Sequence, residues 1–296
     1  MNVLLFVAIL PVVLLLMFVY KKDSRKEPTN VLTKVFFLGV GSCVPTVICE
    51  LLLDNFFGTE NVTSYFQLFI NIFIGVAIVE EFFKWLIIKT RIYDHENHDE
   101  TYDSIVYTVF ASLGFAALEN LLYVIGGGLL TALLRAVTSI PGHAAFGVVM
   151  GYFFSKAKLA SKENPGSEKK YLILALVLPA LIHALYDFMI FTQNMTFVLI
   201  WVVYIIALFI FCFVLVSRAA KNNYYFHGMA PQEPTPTPTI DTNVPKINMN
   251  FTTTNTESNT NTNPIYTQSN SGIKFCPKCG TRVEGPFCTH CGNKIE

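Results

Sequence analysis

Long apolar runs separated by short polar segments occupy the first 220 residues of the chain. A helix that crosses a bilayer needs about 20 mostly apolar residues. The runs of suitable length are residues 2–20, 31–57, 64–88, 103–125, 129–155, 171–191 and 196–217. We therefore predict an all-α polytopic membrane protein with about seven transmembrane helices.

The first run could be mistaken for a cleaved signal peptide. However, no basic residues precede it, it lacks a small-residue cleavage motif, and its positive cluster follows the apolar stretch. We interpret it as a membrane anchor that stays in the protein.

Composition agrees with this prediction. The chain has 296 residues, of which 52% are hydrophobic and 14% charged, whereas soluble domains carry about 25% charged residues. The formal net charge of zero argues against a nucleic-acid surface, so no nucleic-acid partner is expected.

Basic residues occur in every second loop between the predicted helices, and so on one side of the membrane. The loops near 58–63, 126–128 and 192–195 contain no Lys or Arg. The other segments carry thirteen: Lys21, Lys22, Arg25, Lys26, Lys89, Arg91, Lys156, Lys158, Lys162, Lys169, Lys170, Arg218 and Lys221. By the positive-inside rule, the N-terminus lies outside a cell membrane and the C-terminal tail in the cytoplasm.

The composition changes after the last apolar run. Residues 229–272 are rich in Pro, Thr, Asn and Ser and have no periodic apolar face, so they cannot offset the entropy lost on folding. We predict a membrane domain over 1–220, a disordered linker over 221–272 and a small C-terminal module over 273–296.

That module contains two C-x-x-C pairs, Cys276 with Cys279 and Cys288 with Cys291. Two such turns complete a tetrahedral Cys₄ site, and so short a segment needs the metal to fold. We predict a zinc ribbon with structural Zn²⁺ and an unknown cytoplasmic partner. Disulfides or a redox motif are the alternatives, which a reducing compartment and the lack of thioredoxin-like surroundings disfavour. We expect the other cysteines, Cys43, Cys49 and Cys212, to fill apolar space.

Ionisable residues inside the predicted spans are costly and therefore suggest function. In IVEEFFKWLIIK, Glu80, Glu81 and Lys84 lie within one helical turn. A purely structural interpretation is a self-neutralised patch with Lys84 extending toward the cytoplasmic interface. That interpretation explains one carboxylate, but not two in succession.

The next span, GFAALENLLYV, contains Glu119 beside Asn120, where an interfacial charge is the alternative to a functional acid. At the beginning of the same span, we predict that Asp103 is a helix N-cap.

The fifth span contains a polar stripe in which Arg135, Ser139 and His143 are spaced by four. Gly147 and Gly151 extend it as a G-x-x-x-G surface for close helix packing. We predict that Pro141 breaks the helix near His143, as happens where membrane helices line cavities.

The sixth span has His183 and Asp187 at i, i+4, where the carboxylate can fix the tautomer of the ring. A buried pair that joins helices is the alternative. Four successive helices thus carry acids and imidazoles, and a packed bundle would keep them from lipid by bringing them together. Carboxylate plus imidazole can activate water or bind zinc.

The motifs EEFFK, GFAALEN, PGHAAFG and HALYD, in this order, resemble those of the PrsW family of intramembrane proteases over roughly residues 1–217. That family is distantly related to the CAAX prenyl endopeptidase and Abi group. Asp187 departs from the Asn of the wider group.

The resemblance implies peptide-bond hydrolysis within or beside the membrane, on a membrane-embedded substrate such as an anti-sigma factor. By motif, Glu80 or Glu81 with His143 would activate water, and His183 with Asp187 would hold the scissile carbonyl or a metal. Glu119 would belong to the second carboxylate motif. The family has been described as metallo-type and as glutamic-type, and no H-E-x-x-H motif decides between them here.

We therefore predict an endopeptidase that cuts single-pass membrane proteins near the outer half of the bilayer. The alternatives are a proton- or ion-coupled transporter, which would often show internal repeats that we do not find, and a non-catalytic sensor or scaffold that acts through its zinc ribbon.

The charge pattern makes a direct topology prediction. Reporter fusions after Lys162 and after Lys221 should both report a cytoplasmic position, because both residues lie in Lys/Arg-bearing segments. An external signal at either position would overturn the seven-span arrangement.

Overall fold

We describe the fold from a computed structural model, which covers residues 2–59, 62–226, 274–275 and 282–283. The four cysteines of the predicted zinc ribbon lie outside these described residues, as does almost all of the predicted linker. The chain divides into two compact units, Met1–Met229 and Ala230–Glu296.

The first unit is helical throughout its described part. Its elements are α1 (Asn2–Lys22), α2 (Thr29–Phe57), α3 (Tyr65–Ile72), a π-helical segment (Phe73–Ala77), α4 (Ile78–Arg91), α5 (Asp103–Val137), α6 (Ser139–Glu163), α7 (Pro165–Phe191) and α8 (Met195–Lys221). α3, the π-helical segment and α4 follow one another without a gap and form one apolar segment, Tyr65–Arg91.

Six apolar helical segments are long enough to cross a membrane, and one of them, Asp103–Lys162, has 60 residues. A straight helix of that length would extend about 90 Å, against a hydrocarbon core of about 30 Å. The chain instead turns back, so that α6 packs antiparallel on α5. Within the described residues the segment therefore supplies two crossings, which confirms the all-α polytopic fold with about seven spans.

The reversal occurs inside α5, at Gly128, whose φ of 71° lies in the left-handed region. Asn120 and Arg135 are 15 residues apart in sequence, which would separate them by about 22 Å in a straight helix. Their side chains are instead in contact, with Arg135 Nε donating to Asn120 Oδ1 over 3.0 Å. Residues 129–137 thus return toward the membrane interior, close to where the sequence predicted the fifth span to begin.

The helix break near His143 is not at Pro141, as the sequence predicted. α5 ends at Val137 and α6 begins at Ser139, with Thr138 in a non-helical conformation between them. Pro141 therefore lies in the first turn of α6, where backbone N–H groups have no helical acceptor to lose.

Gly147 and Gly151 form the predicted close-packing surface, and its partner is α5. A Cβ atom added to Gly147 would lie 3.0 Å from Ser112 Oγ, and one added to Gly151 would lie 2.6 Å from the Cα atom of Ile105. Because the two backbones approach so closely, α6 can place His143 beside the middle of α5.

The outer surface of the bundle is apolar, as contact with lipid requires. Large side chains on α2 and α8 are strongly exposed, including Leu51, Phe56 and Val203. Cys43 and Cys212 are buried and free, and Cys49 is partly buried and free, which agrees with their predicted role as apolar filler.

The end of the first unit extends beyond the predicted boundary at residue 220. Asn223 Oδ1 accepts a hydrogen bond from the backbone N–H of Tyr102 over 2.9 Å, and the backbone N–H of Phe226 donates to Asp99 over 2.7 Å. Phe226 is fully buried. The packed membrane unit therefore includes residues 223–226.

In the second unit, the described residues form two short strands, β1 (Lys274–Phe275) and β2 (Arg282–Val283). They pair antiparallel, with Lys274 opposite Val283 and Phe275 opposite Arg282.

Asp103 does not cap α5 as predicted. It is the first residue of the helix, and its Oδ2 atom accepts from the backbone N–H groups of Asp99 over 3.1 Å and Glu100 over 2.6 Å, which precede the helix. Its carboxylate thus points back toward the preceding loop, away from the free N–H groups of the helix.

The packing of α6 on α5 predicts a sharp difference between two glycines. Gly151→Ala should destabilise the protein by about 1–3 kcal/mol, because the new methyl group meets backbone atoms that cannot move aside. Gly41→Ala is the matched control, since a Cβ atom there meets nothing within 4 Å. Thermal unfolding in detergent should show a lower midpoint for the first variant only. Equal midpoints for the two variants would contradict this packing.

Candidate active site

The first acidic pair lies at the beginning of α4, directly after the π-helical segment. Glu80, Glu81 and Lys84 are buried, and Glu81 and Lys84 have no exposed surface. π-helical segments are rare and often occur at functional sites, because the extra residue per turn re-aims the side chains that follow. Here the π-helical segment precedes two glutamates that both point into the bundle.

Lys84 lies at the centre of the cluster. Its ammonium is 3.2 Å from Glu80 Oε2, 2.8 Å from Glu81 Oε1 and 3.1 Å from His143 Nδ1. It also lies 4.2 Å from the ring centroid of Phe115, a favourable cation–π contact. The alternative structural interpretation, in which Lys84 extends to the interface, is therefore wrong.

His143 connects Lys84 to Glu119. An ammonium only donates, so His143 Nδ1 accepts from Lys84 and the ring proton is on Nε2. Nε2 then donates to Glu119 Oε2 over 2.8 Å. The same oxygen lies 2.8 Å from a guanidinium nitrogen of Arg135, and this ion pair fixes Glu119 beside the ring.

His183 occupies the other side of the cluster. Its Nδ1 atom is 3.1 Å from Glu81 Oε1, and its Nε2 atom is 3.3 Å from Asp187 Oδ2. The ring stacks on Phe146 with centroids 4.6 Å apart, and its centroid lies 5.4 Å from that of His143. The predicted i, i+4 pair is therefore formed, and it also connects α7 to α4.

A cavity of about 670 Å³ opens beside this cluster. Its lining includes Glu80, Glu119, His143, His183 and Asp187, but not Glu81. It also includes Gly58, Thr59 and Phe191, so it extends toward the end of the bundle where the loops lack Lys and Arg.

All six residues predicted as catalytic, namely Glu80, Glu81, Glu119, His143, His183 and Asp187, thus lie in one connected network. The pairs differ from expectation, because Glu119 contacts His143 directly whereas Lys84 lies between His143 and Glu81.

Sequence reasoning missed Glu50 of α2. It lines the same cavity, and its Oε1 atom is buried with no hydrogen-bond partner among the described residues. The signal was available, since Glu50 is an acid inside an apolar run.

The family comparison agrees with the motif order. The sequence model of a family described as PrsW family intramembrane metalloprotease matches residues 27–216. No solved structure matches the chain.

Several curated proteins are similar to the chain over most of their length. A protein named Protease PrsW from Oceanobacillus iheyensis is 38% identical over 215 residues, which cover 73% of this chain and 95% of the relative. Protease PrsW from Bacillus subtilis is 36% identical over 215 residues, covering 72% and 92%. Protease PrsW from Clostridioides difficile is 32% identical over 206 residues, covering 68% and 84%.

Because the matching family is described as a metalloprotease family, the cluster has to be compared with known metal sites. Glu80, Glu81 and His183 each offer one ligand atom, and these atoms lie within 4.8 Å of one another. Glu81 Oε2 is also buried without a hydrogen-bond partner among the described residues. In donor type and spacing, the set resembles a metal site.

Lys84 argues against a metal at this position. Its ammonium already contacts both glutamates, so a divalent ion on the same oxygens would lie about 4 Å from a positive charge. At an effective dielectric constant of about 20, that repulsion is about 8 kcal/mol. With Lys84 ionised and in place, a metal ion would have to share both glutamates with the ammonium, which opposes its binding there.

Proposed function

Because the chain belongs to the PrsW family and is an intramembrane protease, we propose that the Lys84-centred cluster is its active site and that Glu80 is the general base. The observation that carries this proposal is the convergence of acids and imidazoles from four helices on one cavity, with Glu80, His143 and His183 buried. Buried charge at this depth is costly, and a structural role would need fewer such groups.

The two adjacent glutamates have different surroundings, which supports different roles. Glu80 lines the cavity, so a water molecule or a peptide carbonyl can reach its carboxylate. Glu81 has no exposed surface and contacts Lys84 and His183. We assign Glu81 as a positioning residue that orients these two side chains.

The proposed reaction is a direct hydrolysis. Glu80 takes a proton from water as the oxygen adds to the scissile carbonyl, and the resulting tetrahedral intermediate carries a negative oxygen. The C–N bond then breaks, and the proton returns from Glu80 to the leaving amine. Water is consumed, and a carboxylate and an amine are released.

The two histidines support these steps from opposite sides. Both ring nitrogens of His143 are engaged, by Lys84 and by Glu119, so His143 positions these two side chains beside the water that Glu80 activates. His183 is held by Glu81 and Asp187, and its Nε2 atom donates to the carbonyl oxygen once that oxygen takes the place of Asp187 Oδ2, which lies 3.3 Å away. Because Glu81 already orients the ring, His183 can stabilise the oxyanion with little further reorganisation.

The shape of the cavity supports a membrane-embedded substrate. We propose a single-pass membrane protein, of which an anti-sigma factor is the class suggested by the family resemblance. The cavity extends toward the loops without Lys or Arg. With the N-terminus outside, as the charge pattern predicts, the cut lies toward the outer half of the bilayer.

For the tail, we propose a structural zinc ribbon held by Cys276, Cys279, Cys288 and Cys291, with a cytoplasmic protein as its partner. The support is the spacing of the two C-x-x-C pairs.

Glutamate-based catalysis predicts the effect of two substitutions. Glu80→Gln and His143→Ala should each lower cleavage of a single-pass substrate at least 10²-fold, the lower range for general base catalysis. The measurement is single-turnover cleavage by purified protein in lipid bilayers.

Glu96→Gln is the control variant, since Glu96 is an exposed acid in the loop before α5, and it should cut at the wild-type rate. Folding is checked by the thermal midpoint of each variant. If Glu80→Gln is fully folded and cuts at the wild-type rate, the assignment of Glu80 as base is wrong, and another acid of the cluster must activate the water.

A further inference from the structure

A second acidic cluster lies outside the active site. It is found where the loop between α1 and α2 and the loop between α4 and α5 meet the end of α8. Its members are Asp23, Glu27, Asp99, Glu100 and Asp103. The proposed catalysis uses none of these carboxylates, and the sequence singled out only Asp103, as a cap.

The carboxylates converge on Asp103. Asp23, Glu100 and Asp103 each offer an oxygen, and the three oxygens lie within 4.8 Å of one another. Glu27, Asp99 and Asp103 form a second set with the same property. All except Asp99 are at most 5% exposed, so water does little to screen their mutual repulsion.

Two oxygens in this cluster lack partners. Asp103 Oδ1 and Asp23 Oδ2 are buried without a hydrogen-bond partner among the described residues. Asp103 is 0% exposed and Asp23 is 2% exposed. Leaving a buried carboxylate oxygen unsatisfied is unfavourable, and such atoms call for an unseen partner such as a water or an ion.

The protein supplies little positive charge there. Among the described residues, the cluster makes one salt bridge, between Arg25 and Glu100. Lys26 donates to the backbone carbonyl groups of Tyr20, Lys21 and Asp23 instead of a carboxylate.

We propose that this cluster is a binding site for a hard divalent cation, Ca²⁺ or Mg²⁺, with Asp103 and Asp23 as its ligands. Glu100 lies beside them, and its oxygens contact Arg25 and Asn223. Oxygen-only ligands of this kind select hard cations over zinc. The assignment does not depend on the catalytic proposal.

The site would join three parts of the chain. Asp23 belongs to the loop between α1 and α2, and Asp103 begins α5, which carries Glu119. Glu100 forms a backbone bridge with Tyr225 and accepts a hydrogen bond from Asn223. The cation would therefore hold the end of the membrane unit, from which the tail continues, against the beginning of α5.

Terbium luminescence tests the site directly, because Tb³⁺ binds where hard cations bind and is sensitised by nearby tyrosine. Tyr107 donates to Glu27 and is the expected antenna. The full chain in detergent should show one saturable tyrosine-sensitised signal, which Ca²⁺ or Mg²⁺ displaces. Asp103→Asn and Asp23→Asn should each weaken Tb³⁺ binding at least roughly tenfold, since affinity follows the number of charged ligands.

Two controls identify the source of the signal. Glu96→Gln removes an exposed acid of the same loop and should leave Tb³⁺ binding unchanged. Glu81→Gln should also leave it unchanged, which separates this cluster from the active site. If Asp103→Asn does not fold, Asp23→Asn decides.

Competition experiments distinguish the two cations. The cation that displaces Tb³⁺ at the lower concentration is the one that the site prefers. That cation should also raise the melting temperature of the wild type by several degrees, but not that of Asp23→Asn. If neither Ca²⁺ nor Mg²⁺ displaces Tb³⁺ up to about 10 mM, well above the range of weak calcium sites, or if the signal survives Asp23→Asn unchanged, the proposal is wrong.

Discussion

The buried ammonium of Lys84 holds the active site together. It contacts both glutamates of α4 and His143 of α6, so one charge determines the positions of three groups from two helices. Removing a buried cation from such a cluster would leave two carboxylates facing each other without compensation, which is far more costly than losing a surface ion pair. The same charge also makes a metal ion at these glutamates unfavourable.

The backbone provides this arrangement through three local features. The π-helical segment before α4 directs Glu80 and Glu81 inward. The positive φ of Gly128 turns the chain back, so that Arg135 reaches Glu119. The close packing of Gly151 on α5 then brings α6 near enough for His143 to contact that same glutamate. A π-helical segment, a left-handed glycine and a close helix contact thus act together. They place charged side chains inside the bundle, where lipid cannot reach them.

Local patterns predicted much of this structure. Apolar runs gave the spans, and the i, i+4 spacing gave the contact between His183 and Asp187. The sequence could not predict which side chains pair between helices. For example, His143 contacts Glu119 and not Glu81, and this contact depends on the turn at Gly128. The sequence could not place Lys84 at the centre of the site for a related reason, since its burial follows from the helices packed around it. Asp103 fits a local capping rule, but tertiary contacts with the preceding loop determine its orientation.

We propose that Lys84, and not a metal, supplies the positive charge between the two glutamates. This can be measured by peptide cleavage by the full chain with all four ribbon cysteines changed to serine, with and without 1,10-phenanthroline, which binds zinc but leaves Ca²⁺ and Mg²⁺ in place. We expect an unchanged rate and no zinc in the purified protein by mass spectrometry. Loss of cleavage that added Zn²⁺ restores would overturn this proposal and assign Glu80, Glu81 and His183 to a metal.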